Sequence, residues 1–292
     1  MTAIPSFTMN NGRTIPALGY GVFLMTSDQV REHLPQALKL GYRHIDTANV
    51  YFNEVAVGEV VRDAIAAGEL AREDLFITTK LFPQSYPYAQ AVEDIDATLA
   101  RLGLDYVDLL LFHQPYGEYV SGWKAMEEAV AGGKVRSIGL SNFPIAKFQE
   151  ILDVAEIIPA VHQVEAHPRW NQHELKARMS EATGTEVLVE AWYPLGHGDK
   201  TLLEEPAIAA AAQRTGATPA QVILAWHLAE RNITFPKTLS PAHMADNLAA
   251  LDVELTAAEI ATINGIPQQP YYRIPDEPPA FVLTTNDYSQ QA

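Results

Sequence analysis

Hydrophobic and polar positions follow two alternating periods along this chain. Short apolar or β-branched runs fall at residues 18–22, 44–47, 75–79, 107–112, 137–140, 160–164, 187–192 and 233–235. Between them lie stretches with apolar residues at helical spacing, at 29–40, 54–67, 91–102, 123–131, 145–154, 174–183 and 219–230. Runs apolar on both faces suit strands buried on both sides, and their alternation with amphipathic helices predicts a parallel sheet with crossover helices. Eight such units fit a closed (β/α)8 TIM barrel, with an open doubly wound sheet as the alternative. Asn11-Gly12, flanked by Phe7, Met9 and Ile15, predicts a β-hairpin ahead of the repeat. No linker divides residues 1–292, so one barrel domain is expected, with 267–292 as a C-terminal loop or tail that either lids the pocket or frays.

A barrel of this kind does its chemistry just past the C-terminal ends of its strands. Those positions hold Gly21, Asp46, Lys80, His113, Ser141-Asn142, Gln163, Trp192 and Lys237. Segments chosen only for turning would favour Gly, Asp and Asn over a Lys, a His and a Gln set on strand ends.

Composition narrows the chemistry. The 292 residues carry 20 basic and 36 acidic side chains, a net charge of −16, and no cysteine. Disulfides, thiolate metal sites and cysteine nucleophiles are thereby excluded. The acidity argues against nucleic acid as a partner. The N-terminal segment has no basic-then-apolar pattern and no apolar run reaches the roughly 18 residues of a membrane span, so a cytoplasmic protein without membrane contact is expected. The sequon Asn232-Ile233-Thr234 lies in an apolar strand run and reads as chance. His162, His167 and His173 lack metal-ligand spacing, so no metal is expected.

A carboxylate and an ammonium carried to the rim by buried strands are costly apart and tolerable together, which pairs Asp46 with Lys80. Tyr51 follows five positions after Asp46. A phenol ordinarily ionises near 10, and the ammonium is expected to lower that value and tune Tyr51 as a proton donor. His113 should aim its ring into the same mouth.

The segments around these residues resemble the aldo-keto reductase family, among them its prokaryotic 2,5-diketo-D-gluconate reductase-like members. The matching motifs, in family order, include GYRHIDTANVYFNEVAVG (41–58), DLFITTKLF (74–82), LGLDYVDLLLFHQP (102–115), GKVRSIGLSNF (133–143), HQVEAHP (162–168), AWYPLG (191–196) and FPKTLSPAHMADN (235–247). The resemblance implies a catalytic tetrad of Asp46, Tyr51, Lys80 and His113, and reduction of aldehydes or ketones with Tyr51 as general acid. Hydride addition leaves negative charge on the carbonyl oxygen, which such an acid protonates. No side chain supplies a hydride, so a nicotinamide cofactor is implied.

No Gly-x-Gly-x-x-Gly cradle is present, which directs the cofactor to the barrel mouth. Trp192 is placed to stack on a nicotinamide, with Ser141, Asn142 and Gln163 for its carboxamide. Lys237, Thr238 and Ser240 precede Pro241, which fits the start of an anion-attracting helix. The resemblance adds Gly21, Val22, Pro194, Leu195, His243, Asp246 and Asn247 as cofactor contacts. His243 stands where the family commonly has an Arg clamp for a 2′-phosphate, so NADPH is expected with NADH also usable. Val22 and Gln114 replace a frequent Thr and Trp, Tyr193 a frequent small Ser, and His197 lies in a loop that often covers the pyrophosphate. Phe23, Phe52, Phe82, Gln114 and His113 are the expected substrate contacts, around a small carbonyl compound. A monomer or weak homodimer is expected. Two other readings stay open: a non-catalytic nucleotide-binding barrel, and a Schiff-base aldolase using Lys80.

Overall fold

The computed structural model describes residues 3–291. An antiparallel hairpin, β1 (Ser6–Thr8) and β2 (Thr14–Pro16), precedes eight strands in parallel order. These are β3 (Tyr20–Gly21), β4 (His44–Asp46), β5 (Phe76–Leu81), β6 (Val107–Phe112), β7 (Val135–Ser141), β8 (Val161–Glu165), β9 (Leu188–Trp192) and β10 (Ile233–Thr234). Each pairs with its sequence neighbour. The first and last meet through a parallel bridge between Leu18 and Thr234, where Gly19 N donates to Thr234 O at 2.7 Å and Thr234 N donates to Ala17 O at 2.9 Å. The expected TIM barrel is the observed one, with its N-terminal hairpin. Gly21 is required at this closure, because a Cβ there would lie 2.7 Å from Phe235 O.

Crossover helices α1 (Ser27–Leu40), α2 (Glu54–Ala66), α3 (Tyr88–Leu102), α4 (Tyr119–Ala131), α5 (Ile145–Leu152) and α6 (His173–Thr183) follow β3 to β8 in turn. The segment after β9 folds into α7 (Lys200–Leu203), α8 (Pro206–Thr215) and α9 (Pro219–Ala229). The region after β10 forms α10 (Pro241–Ala249), α11 (Ala257–Asn264) and α12 (Ala280–Leu283). Local chemistry sets several boundaries. Thr26 caps α1 in a capping box with Gln29, and Gly41 ends it at φ 109°. Thr218 and Pro219 open α9 in the same way.

The period of two along β6 explains its continuous apolar run. Leu109 and Leu111 face the barrel interior with Met9 and Ile15 of the hairpin, whereas Leu110 and Phe112 pack outward in the main core beneath the helices. The hairpin thus plugs one end of the barrel and leaves the other for the site. Strand β5 runs two residues past the expected 79, so Lys80 lies within the strand. Asn232 is buried beside His227, which leaves the sequon no exposed amide.

Candidate active site

Period-two alternation brings His44 and Asp46 of β4, and Thr78 and Lys80 of β5, to the interior, with Asp46 in register with Thr78. Lys80 is fully buried and Asp46 nearly so. Lys80 Nζ donates to Asp46 Oδ1 and Oδ2 at 2.8 Å each, to Thr47 O at 2.9 Å and to the Tyr51 hydroxyl at 3.1 Å. Burial favours an uncharged amine, but Asp46 and the Tyr51 oxygen more than offset it, and the Lys80 pKa stands above its ordinary value. Burial likewise pushes the Asp46 carboxyl up, while Lys80 and the Gln163 amide pull it down. Two equidistant contacts to one ammonium are the geometry of an ion pair.

Tyr51 occupies a single 3₁₀ turn, Asn49–Tyr51, closed by Phe52 in the left-handed region at φ 57°. Asn53 secures that turn: its Nδ2 donates to Val22 O and Met25 O at 3.0 and 3.1 Å, and its Oδ1 accepts from Thr47 Oγ1 at 2.8 Å. Asn53 is not among the residues singled out from the sequence, where it only precedes the helical run 54–67. The expected lowering of the Tyr51 pKa is corrected here. Burial pushes it up to about 12, exceeding the opposing pull of Lys80. The phenol is therefore fully protonated at neutral pH.

His113 follows β6, and its ring stands edge-on to Tyr51 and to Phe82, with centroids 5.6 Å away in each case. Burial first, and Lys80 second, hold it well below the usual histidine range. It is a neutral imidazole, and its Nδ1 has no partner among the described residues.

These groups form the floor of a cavity of about 880 Å³. The cavity brings together Gly21, Phe23, Asp46, Tyr51, Phe82, His113, Gln114, Ser141, Asn142, Gln163, Trp192, Pro194, Leu195 and Lys237 from the expected set. Lys80 stands behind Tyr51, outside the lining. Val22 is fully buried behind the wall and Phe52 packs on Tyr288 of the tail, so neither lines the cavity. Thr238, Ser240, His243, Asp246 and Asn247 lie beyond the lining, at or before α10. There Ser240 caps the helix by accepting from His243 N at 3.4 Å. Lys237 makes no ion pair among the described residues and faces the cavity.

The aromatic platform is fixed from below. Trp192 Nε1 donates to Asn142 Oδ1 at 2.8 Å, and Asn142 Nδ2 donates to His113 O and Ser141 Oγ at 3.1 Å each. Asn142 thus serves Trp192 and His113 more directly than it serves a ligand. The Ser141 hydroxyl proton remains free for one. Gln163 Nε2 donates to Asp46 Oδ2 at 2.9 Å and Glu190 Oε2 at 3.0 Å, so its own Oε1 is left for the cavity. This free acceptor and free hydroxyl, beside the indole, fit the carboxamide edge and ring face of a nicotinamide.

The tail is ordered into the site. Tyr271 N and Tyr272 N donate to Glu165 Oε1 and Oε2 at 2.5 and 2.9 Å, and Tyr272, Phe281, Thr284 and Asn286 line the cavity. The three histidines weighed as metal ligands each have separate partners: His162 accepts from Phe143 N, His167 pairs with Glu165, and His173 with Glu230. Among the described residues no cluster suited to a metal occurs, and no helix is long and apolar enough to cross a membrane.

Fold and site together define a (β/α)8-barrel oxidoreductase. Residues 17–267 match the family model described as Aldo/keto reductase family. An aldo-keto reductase of Mycobacterium sp. (strain MCS) is 39% identical over 273 residues, covering 92% of this chain and 93% of the relative. Morphine 6-dehydrogenase of Pseudomonas putida is 38% identical, covering 89% and 90%. Among solved structures, an aldo/keto reductase from Brucella melitensis superposes with a TM-score of 0.83 at 36% identity, covering 90% of this chain and 99% of that one. An aldose reductase from Schistosoma japonicum gives 0.85 at 32%, covering 92% and 94%. The chain belongs to the aldo/keto reductase family.

Proposed function

We propose that this enzyme reduces uncharged, largely apolar aldehydes and ketones to alcohols with NADPH, and also with NADH. The observation that carries this reading is the Asp46–Lys80–Tyr51 chain of contacts at the floor of an aromatic-walled cavity. A bound nicotinamide nucleotide supplies the hydride. Tyr51 and His113 bracket the position of the carbonyl oxygen, His113 as a neutral donor and Tyr51 as the acid. A phenol near 12 is still a stronger acid than an aliphatic alcohol, so the proton moves to the developing alkoxide. Lys80 then faces the phenolate with its charge already in place and no reorganisation.

Substrate class follows from the wall. Phe23, Leu24, Val50, Phe82 and Phe281 surround the carbonyl end, with neutral Gln114 and Asn286 among them. Lys237 is the one Lys or Arg among the lining residues, and it sits where β10 leads into α10, the natural seat of the nucleotide phosphate. An anionic keto acid would find no unpaired counter-ion beside Tyr51, because the buried Lys80 ammonium is already held by Asp46. The name of one relative, morphine 6-dehydrogenase, agrees with a bulky ring-bearing substrate. Use of Lys80 as a Schiff-base nucleophile is disfavoured by its burial and by its two contacts to Asp46.

The test is steady-state oxidation of NADPH and NADH across neutral aromatic aldehydes, alicyclic ketones, aldoses and keto acids. Neutral apolar carbonyls are expected to show kcat/KM at least about tenfold above keto acids. Equal values would remove the substrate assignment, and no turnover with any carbonyl would remove the activity.

A further inference from the structure

Glu190 lies in the middle of β9, fully buried, in register with Gln163 of β8 on one side and Ile233 of β10 on the other. Nothing in carbonyl reduction calls for a second buried carboxyl group so close to Asp46. Its contacts explain its presence. Glu190 Oε2 accepts from Gln163 Nε2 at 3.0 Å, and the same nitrogen donates to Asp46 Oδ2 at 2.9 Å. Glu190 Oε1 has no hydrogen-bond partner among the described residues; the nearest basic atom is His44 Nε2 at 3.6 Å. That nitrogen lies 2.9 Å from Thr78 Oγ1, while His44 Nδ1 lies 3.2 Å from Pro16 O. A carbonyl can only accept, so Nδ1 carries the ring proton and Nε2 accepts from Thr78.

An amide has two N–H bonds and one acceptor oxygen, and its terminal torsion is soft. With Asp46 as the sole partner, the Gln163 amide would keep freedom to turn about that single bond. A second acceptor on the neighbouring strand removes it. The opposite assignment of the amide would set its oxygen against the ionised Asp46, so the nitrogen must face the two carboxyl groups. The oxygen is then turned to the cavity that Gln163 lines.

We infer that Glu190 is a positioning residue for the nicotinamide end of the site: with Asp46 it takes both N–H bonds of Gln163 and so aims Gln163 Oε1 at the carboxamide of the cofactor. The inference rests on the nicotinamide reading above. Glu190 touches neither the cofactor nor the substrate, and its effect passes entirely through Gln163. Burial and the Asp46 charge favour its neutral form, which spares the barrel an unpaired anion beside the Asp46–Lys80 ion pair.

The experiment is a double-mutant cycle read as the NADPH dissociation constant from quenching of tryptophan fluorescence. Glu190→Leu is expected to weaken NADPH about tenfold in the wild-type background and less than about twofold in Gln163→Ala, because the aim of a missing amide cannot be lost. Glu190→Gln keeps an acceptor for Gln163 and is expected to stay within about twofold of wild type. A merely structural role would lower affinity equally in both backgrounds, and that additivity would overturn the inference. Should Glu190→Leu fail to fold, Glu190→Asp takes its place in the cycle: it keeps the buried acid and withdraws it by one methylene. Unchanged affinity in that variant also overturns the inference. Wild-type protein that binds neither NADPH nor NADH would remove the proposed function itself, whereas binding with an additive cycle removes only the role of Glu190.

Discussion

The ammonium of Lys80 stands 3.1 Å from the hydroxyl oxygen of Tyr51, as a donor to it. The phenolic proton is therefore directed elsewhere, toward the cavity, and in the proposed reaction the charge that would stabilise a phenolate is in contact with the oxygen before any proton moves. Asp46 holds that charge in place, so the buried ammonium survives desolvation. Acid strength in this site is a balance: burial raises the Tyr51 pKa, Lys80 lowers it, and burial prevails until negative charge develops on the substrate.

Replacement Tyr51→Phe removes the proposed proton donor and leaves the walls and Lys80 intact. Carbonyl reduction should fall by at least about a thousandfold in kcat, within the range for loss of a general acid. NADPH affinity should change little, because Trp192 and Gln163 are untouched. Rapid-mixing kinetics and fluorescence titration separate the two effects, and near-wild-type turnover would exclude Tyr51 as the acid.

Glu190 gives the fold a distinctive dependence on pH. Burial first, and the Asp46 charge second, push its carboxyl up to about 8, while Lys80 and the Gln163 hydrogen bond act the other way. The unfolded chain ionises this group near its ordinary value of 4.5, so across pH 4.5–8 the native state holds a proton that the unfolded state has released. The stabilisation is complete below 4.5, is lost as pH rises through about 8, and changes no further above it. The slope approaches about 1.4 kcal/mol per pH unit at most. Glu190→Gln, which has no proton to release, should show a flatter profile than wild type over that window. Urea unfolding at pH 5, 6.5 and 8 measures both, and parallel profiles would count against a neutral buried acid.

The α10 N-terminus is expected to discriminate between the two cofactors. His243 is exposed on its first turn, and its backbone N–H donates to the Ser240 cap. An arginine there would add a permanent charge and a two-pronged donor suited to a 2′-phosphate. His243→Arg should therefore raise the ratio of kcat/KM for NADPH over NADH by about tenfold, the scale of one charge-assisted hydrogen bond. An unchanged ratio would place recognition of the 2′-phosphate on other residues.

Much of the architecture was legible because its cause is local. Buried strands must be apolar on both faces, and β6 shows that pattern directly in Leu109 to Phe112. The pairing of Asp46 with Lys80 was legible because two charges on buried strands require each other. The direction of the Tyr51 pKa was not, since it depends on how completely the closed barrel excludes water. Glu190 did leave a signal, a lone acid inside the apolar run 187–192, two positions before Trp192 and so on the same face. Its partner Gln163 is distant in sequence, which hid its role. The segment 200–215 carries α7 and α8, which are not among the helical stretches read from the sequence. The tail was hardest to read, because it is held by scattered side-chain contacts and has no periodic apolar face.

That tail makes the final prediction. Asn286 N donates to Gln84 Oε1 at 2.6 Å and Gln84 Nε2 donates to Asn286 O at 2.7 Å, while Val282 and Tyr288 pack with Phe82 and Tyr116. Phe281 is thereby held over Phe82, with ring centroids 6.3 Å apart, although half of its surface is exposed. At the far end Gln291 accepts from Glu54 N at 2.9 Å and donates to Asn49 O at 3.0 Å, bracketing the turn that carries Tyr51. Two different kinetic effects follow. Phe281→Ala removes one apolar wall of the cavity and its ring contact with Phe82 but leaves the Gln291 contacts in place, and should raise KM for an apolar carbonyl about tenfold with kcat nearly unchanged. Deleting residues 276–292 also removes the Gln291 contacts, and should lower kcat in addition to raising KM. The barrel closes upstream of this deletion through Leu18 and Thr234, so the shortened chain should still unfold cooperatively. Steady-state kinetics on both variants distinguish a passive tail, which would leave KM untouched, from one that forms part of the pocket and supports the turn of its acid.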